Sequence, residues 1–274
     1  MPLPSSPSSV ITGAGSGFGR ALALELASRG AHLVLSDLNL PTCEETARLA
    51  LSRGAASATA HACDVTRADD VHALEKACDR PIDLLVNNAG VSSGGLIGEL
   101  PLHDWRWTID VDLFGVIHGC HAFVPRLKQQ GHGHVLNVAS AAGLLSAPRM
   151  AAYNAAKAGV IAVSETLAAE LEGTRVGVTV LCPTFFETDI VRSGRFADEE
   201  TKKMAHGLMK LARPVEEVVA YALDSIDRGE LYSVPMADAR LLWRIKRALP
   251  DSYRSLVTFG MKWLGKRRGA HKAG

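Results

Sequence analysis

From Ser9 to about Val234 the chain alternates between short apolar runs and longer stretches of helical periodicity. The apolar runs are SVITG (9–13), AHLVLSD (31–37), ASATAHACD (56–64), IDLLVNNAG (82–90), GHVLNVAS (133–140) and RVGVTVLCP (175–183). Between them lie GRALALELASRG, PTCEETARLALSRG, ADDVHALEKACD, a long stretch from about His103 to Gln130, and an alanine-rich helix that begins near Tyr153. The strand candidates are nearly continuous in apolar residues, as strands buried on both faces are. Strands and helices in regular alternation predict a parallel sheet with right-handed crossovers, hence a doubly wound α/β fold. Gly30 and Gly54 stand where helix C-caps belong. No linker or repeat divides the pattern, so residues 9–235 read as one domain, with a lead-in at 1–8 and an extension at 236–274.

Composition narrows the class. The 274 residues are 47% hydrophobic and 22% charged, which suits a globular chain with a sizeable core. The five cysteines are scattered and form no CxxC pair, which predicts reduced thiols, no zinc site and a cytoplasmic home. MPLPSSPSS has neither a basic nor an apolar block, so it reads as a disordered lead-in rather than a signal peptide. No apolar run approaches the roughly 20 residues of a spanning helix. The net charge of +1 is unevenly spread: Arg240 to Gly274 holds ten Lys/Arg and one Asp, a local +9, which leaves −8 for the rest. The whole molecule is therefore no obvious polyanion binder.

Candidate chemistry sits at the strand ends. TGAGSGFG (12–19) joins the first strand to the first helix, and Gly13, Gly17 and Gly19 follow a T-G-x-x-x-G-x-G spacing. Glycines there allow a tight turn and let the backbone, with Ser16 and Phe18, approach a pyrophosphate at the helix N-terminus. Asp37 ends the second strand, where a carboxylate can accept hydrogen bonds from two adenosine ribose hydroxyls and would repel a 2′-phosphate. Neither Ser16 nor Leu38 offers a cation to offset that repulsion, so NAD(H) is expected over NADP(H). At the third strand end, Asp64 can reach an adenine edge with its side chain and Val65 with its amide; an ordinary turn accounts for both equally well. In NNAG (87–90), Asn87 can tie neighbouring strands, while Asn88, Ala89 and Gly90 leave room for a cofactor. All these positions fall along one carboxyl edge, where open α/β sheets bind ligands.

Taken together, TGAGSGFG, NNAG, NVAS, YNAAK and CPTFFET are ordered and spaced so that the chain, over about residues 8–235, resembles the short-chain dehydrogenase/reductase family. The resemblance implies a Rossmann-type core with a seven-stranded sheet and nicotinamide-dependent alcohol/carbonyl chemistry. It places Ser140, Tyr153 and Lys157 at the family's catalytic positions. Tyr153 then exchanges a proton with the substrate oxygen, Ser140 donates a hydrogen bond to that oxygen, and Lys157 holds nicotinamide-ribose hydroxyls. Tyrosine and lysine at i and i+4 share a helix face, and the ammonium is expected to lower the phenol pKa. Pro183 and Thr188 fit positions beside the carboxamide.

Two residues depart from the family pattern. Asp112 stands three before Gly115, where the family usually has an asparagine that holds a relay water; an aspartate can still accept from that water, and either its charge raises the Tyr153 pKa and the relay is altered, or it is partly protonated. Thr184 stands where a glycine often follows the proline.

The resemblance also implies a variable substrate lid over about 184–213. Phe185, Phe186, Ile190, Val191, Phe196, Met204, Leu208 and Met209, with Leu144, Leu145 and Met150, supply apolar surface that either lines a pocket or packs the lid. A lipophilic secondary alcohol or ketone is the expected substrate. Alternatives are a 3-oxoacyl-thioester reductase, or a nicotinamide-binding regulatory protein with little turnover. No metal or nucleic acid is expected. Small residues along 151–162 allow close helix approach, and the resemblance implies that this helix and the preceding long one pair across a two-fold axis, hence a homodimer or homotetramer. The amphipathic, basic segment after Pro250 predicts either docking on protein or peripheral contact with an anionic membrane.

Overall fold

The computed structural model describes residues 2–210, 212–253 and 255. It contains the parallel sheet that the alternation predicts. β1 (Ser8–Thr12) leads through the glycine turn into α1 (Gly17–Ala27), then β2 (His32–Asp37), α2 (Leu40–Ser52), β3 (Ser57–Ala62), α3 (Ala68–Lys76) and β4 (Leu84–Asn87). After a two-residue β5 (Ser93–Gly94), α4 (Leu102–Ile109) runs through a π-helical turn (Asp110–Phe114) into α5 (Gly115–Gln130). Then come β6 (Gly133–Val138), α6 (Ala141–Leu145), α7 (Ala151–Glu170), β7 (Val176–Leu181), β8 (Arg195–Phe196), α8 (Glu199–Met209), α9 (Val215–Asp227), β9 (Tyr232–Ser233) and α10 (Ala237–Ala248).

Seven strands form one sheet in the order β3-β2-β1-β4-β6-β7-β9, every pair parallel. The strand order reverses between β1 and β4, which opens a crevice at their carboxyl ends. The inner strands are mostly apolar and buried, with Ile11, Leu35, Leu85 and Leu136 at 0% exposure. The edge strand β3 is only half-buried, which explains why SATAHA carries more polar residues than its neighbours. Gly30 and Gly54 follow the ends of α1 and α2 with φ of +72° and +106°, the left-handed geometry that releases the chain from a helix.

Two details correct the reading from sequence. The single long helix expected over 103–130 is interrupted by the π turn, which inserts one extra residue into the hydrogen-bond ladder and shifts the faces of α4 and α5 relative to each other. The lead-in is held rather than loose: the Leu3 amide donates to Asp227, Pro7 is buried, and β1 already begins at Ser8.

The chain divides into two compact units, Met1–Pro235 and Met236–Gly274. The second contains α10. Most of the basic segment after Pro250 (254 and 256–274) lies outside the described residues.

Candidate active site

The glycine turn and NNAG are two halves of one hydrogen-bonded unit. The Thr12 hydroxyl accepts from the amides of Asn88 (3.0 Å) and Ala89 (3.1 Å). The Asn88 side chain donates back to the Thr12 and Gly13 carbonyls at 2.8 and 3.0 Å. Gly13 has φ +65° and packs so closely that a Cβ there would sit 2.7 Å from the Ala89 Cα. Gly19, expected at the cofactor, does not line the cavity; a Cβ there would fall 2.4 Å from the Gly13 carbonyl, so this glycine serves the packing of α1 on the turn. Asn87 donates to Asn137 across β4 and β6 at 2.8 Å, the strand tie its position suggested.

At the end of β2, the two Asp37 oxygens accept from the amides of Gly15 (2.8 Å) and Asn39 (2.9 Å). A carboxylate has about four lone-pair sites, so two remain for ribose hydroxyls. Arg20, a cation the sequence reading passed over, is committed to the Gly15 carbonyl and the Thr46 hydroxyl. Asp64 lines the cavity, yet its Oδ1 accepts from both the amide and the hydroxyl of Thr66, so the turn is real and only Oδ2 is left for a ligand. The Val65 carbonyl is fixed by the His118 ring at 2.8 Å, a support that no sequence signal announced.

The catalytic candidates converge from three elements. Ser140 follows β6 and caps α6, its hydroxyl accepting from the Ala142 amide at 3.1 Å. The strand-end turn and the catalytic placement therefore coexist. Tyr153 and Lys157 lie one turn apart on α7, with Nζ 5.7 Å from the phenol ring centroid. Lys157 is buried, donates to the Val138 carbonyl at 3.1 Å and stands 3.8 Å from Asp112 Oδ2. Asp112 projects from the π turn, fully buried, and its Oδ1 accepts from the Val91 amide at 2.7 Å. Its Oδ2 finds no hydrogen-bond donor among the described residues. Gly90 lets this pair approach the cavity floor: a Cβ there would meet Asp112 at 3.2 Å and Lys157 at 3.4 Å. Asp112 itself sits behind the cavity lining.

Electrostatics follow from this burial. Desolvation pushes the Asp112 carboxyl up to about 6, against the pull of the Lys157 ammonium and the Val91 amide. The Tyr153 phenol is also pushed above its ordinary value, by burial first and by Asp112 second, with a Ser140 hydrogen bond opposing. The lowering expected from Lys157 is not among the causes. The ammonium lies 5.7 Å from the phenol ring centroid and faces a carboxylate of opposite sign.

One cavity of about 510 Å³ joins these parts, running from Asp37 and Gly17 past Ala89 to Ser140, Tyr153 and Lys157. Pro183, Thr184 and Thr188 close it from the β7 side. Among the described residues that line it, Lys157 is the one Lys or Arg, while Asp37, Asp64 and Asp189 are all acidic.

The lid residues divide. Phe185, Phe186, Ile190, Val191 and Met209 line the cavity with Leu145 and Met150; Phe196, Met204, Leu208 and Leu144 do not. Phe196 instead packs on Gly94, where β8 pairs with β5. Trp107, unnoticed in the sequence, lines the cavity beneath the Arg195 guanidinium, which stacks 3.9 Å from its ring centroid and pairs with Asp104 at 2.9 Å. Arg149, at φ +64°, fastens α8 through Thr201 (2.8 Å) and Asp198 (3.4 Å).

A model of the family described as short chain dehydrogenase matches residues 8–199. The chain belongs to the short-chain dehydrogenase/reductase family. It is 37% identical over 265 residues to a CLA biosynthesis dehydrogenase/reductase of Lactiplantibacillus plantarum, covering 88% of this chain and 92% of that one. It superposes with a TM-score of 0.81 on a short-chain dehydrogenase/reductase of Burkholderia phymatum in complex with NAD, at 33% identity over 89% of this chain and 93% of that one. A short-chain dehydrogenase of Sphingobium yanoikuyae in complex with NADPH gives 0.75 at 28% identity, covering 92% and 95%. The protein is therefore a short-chain oxidoreductase of the kind that acts on CH–OH or C=O groups, and the Burkholderia and Sphingobium neighbours hold NAD and NADPH, respectively.

Proposed function

We propose that this short-chain dehydrogenase/reductase is NAD(H)-dependent and interconverts a lipophilic secondary alcohol and its ketone, with Tyr153 as general acid/base. The observation that carries the reading is the cavity that links the Asp37 carboxylate at one end to Ser140, Tyr153 and Lys157 at the other.

The residues fit a dinucleotide. The turn has positive φ at Gly13 and Gly17, and a Cβ on Gly17 would sit 3.0 Å from the Thr188 hydroxyl, inside the cradle between turn and lid. Asp37 would hold the adenosine ribose, the α1 N-terminus the pyrophosphate, and Lys157 the nicotinamide ribose. A 2′-phosphate would meet Asp37, while Lys157, the one Lys or Arg lining the cavity among the described residues, stands at its other end. When bound, the nicotinamide supplies the hydride-accepting or hydride-donating carbon. The protein does the rest. Ser140 orients the substrate oxygen, Tyr153 holds or receives its proton, and the apolar lid excludes water from the reacting centre.

Phe185, Phe186, Ile190 and Trp107 favour a lipophilic substrate, since mostly apolar walls with a few convergent polar groups are the usual makeup of such pockets. Five buried, unpaired cysteines support a reducing, cytoplasmic setting.

The test is a turnover screen of secondary alcohols and ketones of graded lipophilicity with NAD(H) and NADP(H). Turnover that rises with apolar chain or ring size and prefers NAD(H) is expected. Preference for small hydrophilic alcohols, or for NADP(H), would overturn it.

A further inference from the structure

We infer that α10 is an interfacial helix that docks the protein on an anionic lipid surface. Leu241, Ile245 and Leu249 follow one another at i, i+4 and i+8, and Leu242 lies beside them, so the four form one stripe about a hundred degrees wide. The stripe is not buried: Leu241, Leu242 and Leu249 retain 60%, 36% and 57% of their surface. Arg240, Arg244 and Arg247 run along one flank and Lys246 stands on the other. Two of these cations are steadied by rings of the same unit, Arg247 5.6 Å from Trp243 and Lys246 5.5 Å from Tyr253.

An exposed apolar stripe bordered by long cationic side chains matches a bilayer interface. The leucines enter the acyl boundary while Lys and Arg reach lipid phosphates, at about 1 kcal/mol per cation near an anionic surface. The sequence from Arg240 onward supplies the long-range attraction, with its net +9. Spanning is excluded for this helix. Its 12 residues cover about 18 Å against a hydrocarbon core of about 30 Å, and no described helix is long and apolar enough to cross.

Charge also selects the membrane over two rival occupants. A second copy meeting this stripe would bring two +9 segments together, and like charges at an interface oppose pairing. A nucleic-acid duplex would satisfy the arginine row but leave the leucines in water.

Co-sedimentation of the full chain with vesicles tests the inference. Vesicles of phosphatidylcholine and phosphatidylglycerol (about 7:3) should bind it, and pure phosphatidylcholine should not. Salt near 0.5 M should weaken binding about tenfold or more by screening. Leu241→Gln with Leu249→Gln preserves charge and should weaken binding about tenfold or more while turnover of a water-soluble substrate stays unchanged. Arg244→Gln with Arg247→Gln should weaken it as well. Absence of binding to the anionic vesicles, or full binding by the glutamine pair, would overturn the inference. So would a glutamine pair that lowers the molar mass in light scattering but still binds vesicles, since a second copy would then cover the stripe. Tighter binding to a short DNA duplex than to vesicles, indifferent to the leucines, would assign the arginines to nucleic acid and overturn it too.

Discussion

The Asp112 carboxylate lies 3.8 Å from the Lys157 ammonium, and both side chains are buried beneath Gly90. The family resemblance places a neutral asparagine where this chain carries a titratable acid. With its carboxyl pushed up to about 6 by burial, Asp112 is largely ionised at pH 8 and largely protonated at pH 5. When ionised it raises the Tyr153 pKa. Asp112→Asn should therefore move the alkaline-promoted limb of alcohol oxidation to lower pH and remove a second inflection near pH 6. The pH dependence of kcat/KM in both proteins checks this. Superimposable profiles would show that the carboxylate does not act on the phenol.

The same carboxyl bears on stability. Its folded-state value lies above the ordinary 3.8, so the native state prefers the protonated form. That contribution is full below about pH 4 and is lost as pH rises through about 6. The melting temperature of the wild type relative to Asp112→Asn should accordingly fall between pH 4 and pH 7. A difference that stays flat over this range would contradict the raised value.

Asp37 governs cofactor choice in the proposed reading. NAD(H) should bind at least about tenfold tighter than NADP(H), about 1.4 kcal/mol. Asp37→Ser should narrow that ratio by relieving the repulsion, while weakening NADH through the lost ribose hydrogen bonds. Calorimetric titration with both cofactors decides it, and equal affinities in the wild type would defeat the charge argument.

The strands and the glycine turn were legible because their signals are local. An apolar run such as LLV (84–86), or a glycine where φ must be positive, declares its geometry within a few residues. The π turn was not, because one inserted residue between Ile109 and Gly115 alters no local propensity; it appears only when α4 and α5 are both packed. Phe186 and Phe196 show a second limit. Both are lid phenylalanines, yet one lines the cavity and the other packs at the β5–β8 pair, and apolar character alone cannot separate pocket wall from core. Gly19 shows a third. Its motif position was read correctly, but the pressure on it comes from the Gly13 carbonyl rather than from the cavity. Tyr153 shows a fourth: Asp112 raises its pKa as the charge at that position predicts, but the i, i+4 spacing gives proximity to Lys157 without the expected lowering, and burial comes first.

Packing behind the site yields a stability test. A Cβ on Gly119 of α5 would fall 1.9 Å from the Asn87 Oδ1, the same side chain that bridges to Asn137. Gly119→Ala should displace Asn87 and cost about 1–3 kcal/mol, read by denaturant unfolding. Wild-type stability in this variant would mean that α5 and β4 are not in such close contact.

Assembly is open to a direct measurement. Ala155, Ala158 and Ala162 are exposed on one side of α7, and Phe114 of the π turn keeps 45% of its surface. Small residues allow close helix approach, and a two-fold axis would bury this face against its copy. Light scattering should find a dimer or tetramer, and Ala158→Arg should shift it toward monomer. A strict monomer of the wild type at micromolar concentration would refute the expectation.

The decisive test of the proposed chemistry is at YNAAK. Tyr153→Phe keeps the ring that lines the cavity and removes the proton carrier. NADH should bind with nearly unchanged affinity while turnover falls by about two to four orders of magnitude. Lys157→Ala should lower turnover comparably and also weaken NADH, because in the proposed reading the ammonium also holds the nicotinamide ribose. It should further remove the cation that holds the buried Asp112 carboxyl down, so that carboxyl should rise above its wild-type value of about 6 and the variant should lose more stability than wild type between pH 5 and pH 8. The pattern across the two variants separates roles that a single loss of activity would blur. Binding intact and chemistry lost marks the acid/base; binding, chemistry and alkaline stability lost together marks the lysine. Full turnover in Tyr153→Phe would remove the phenol from the mechanism and with it the reading of this cavity as the reaction site.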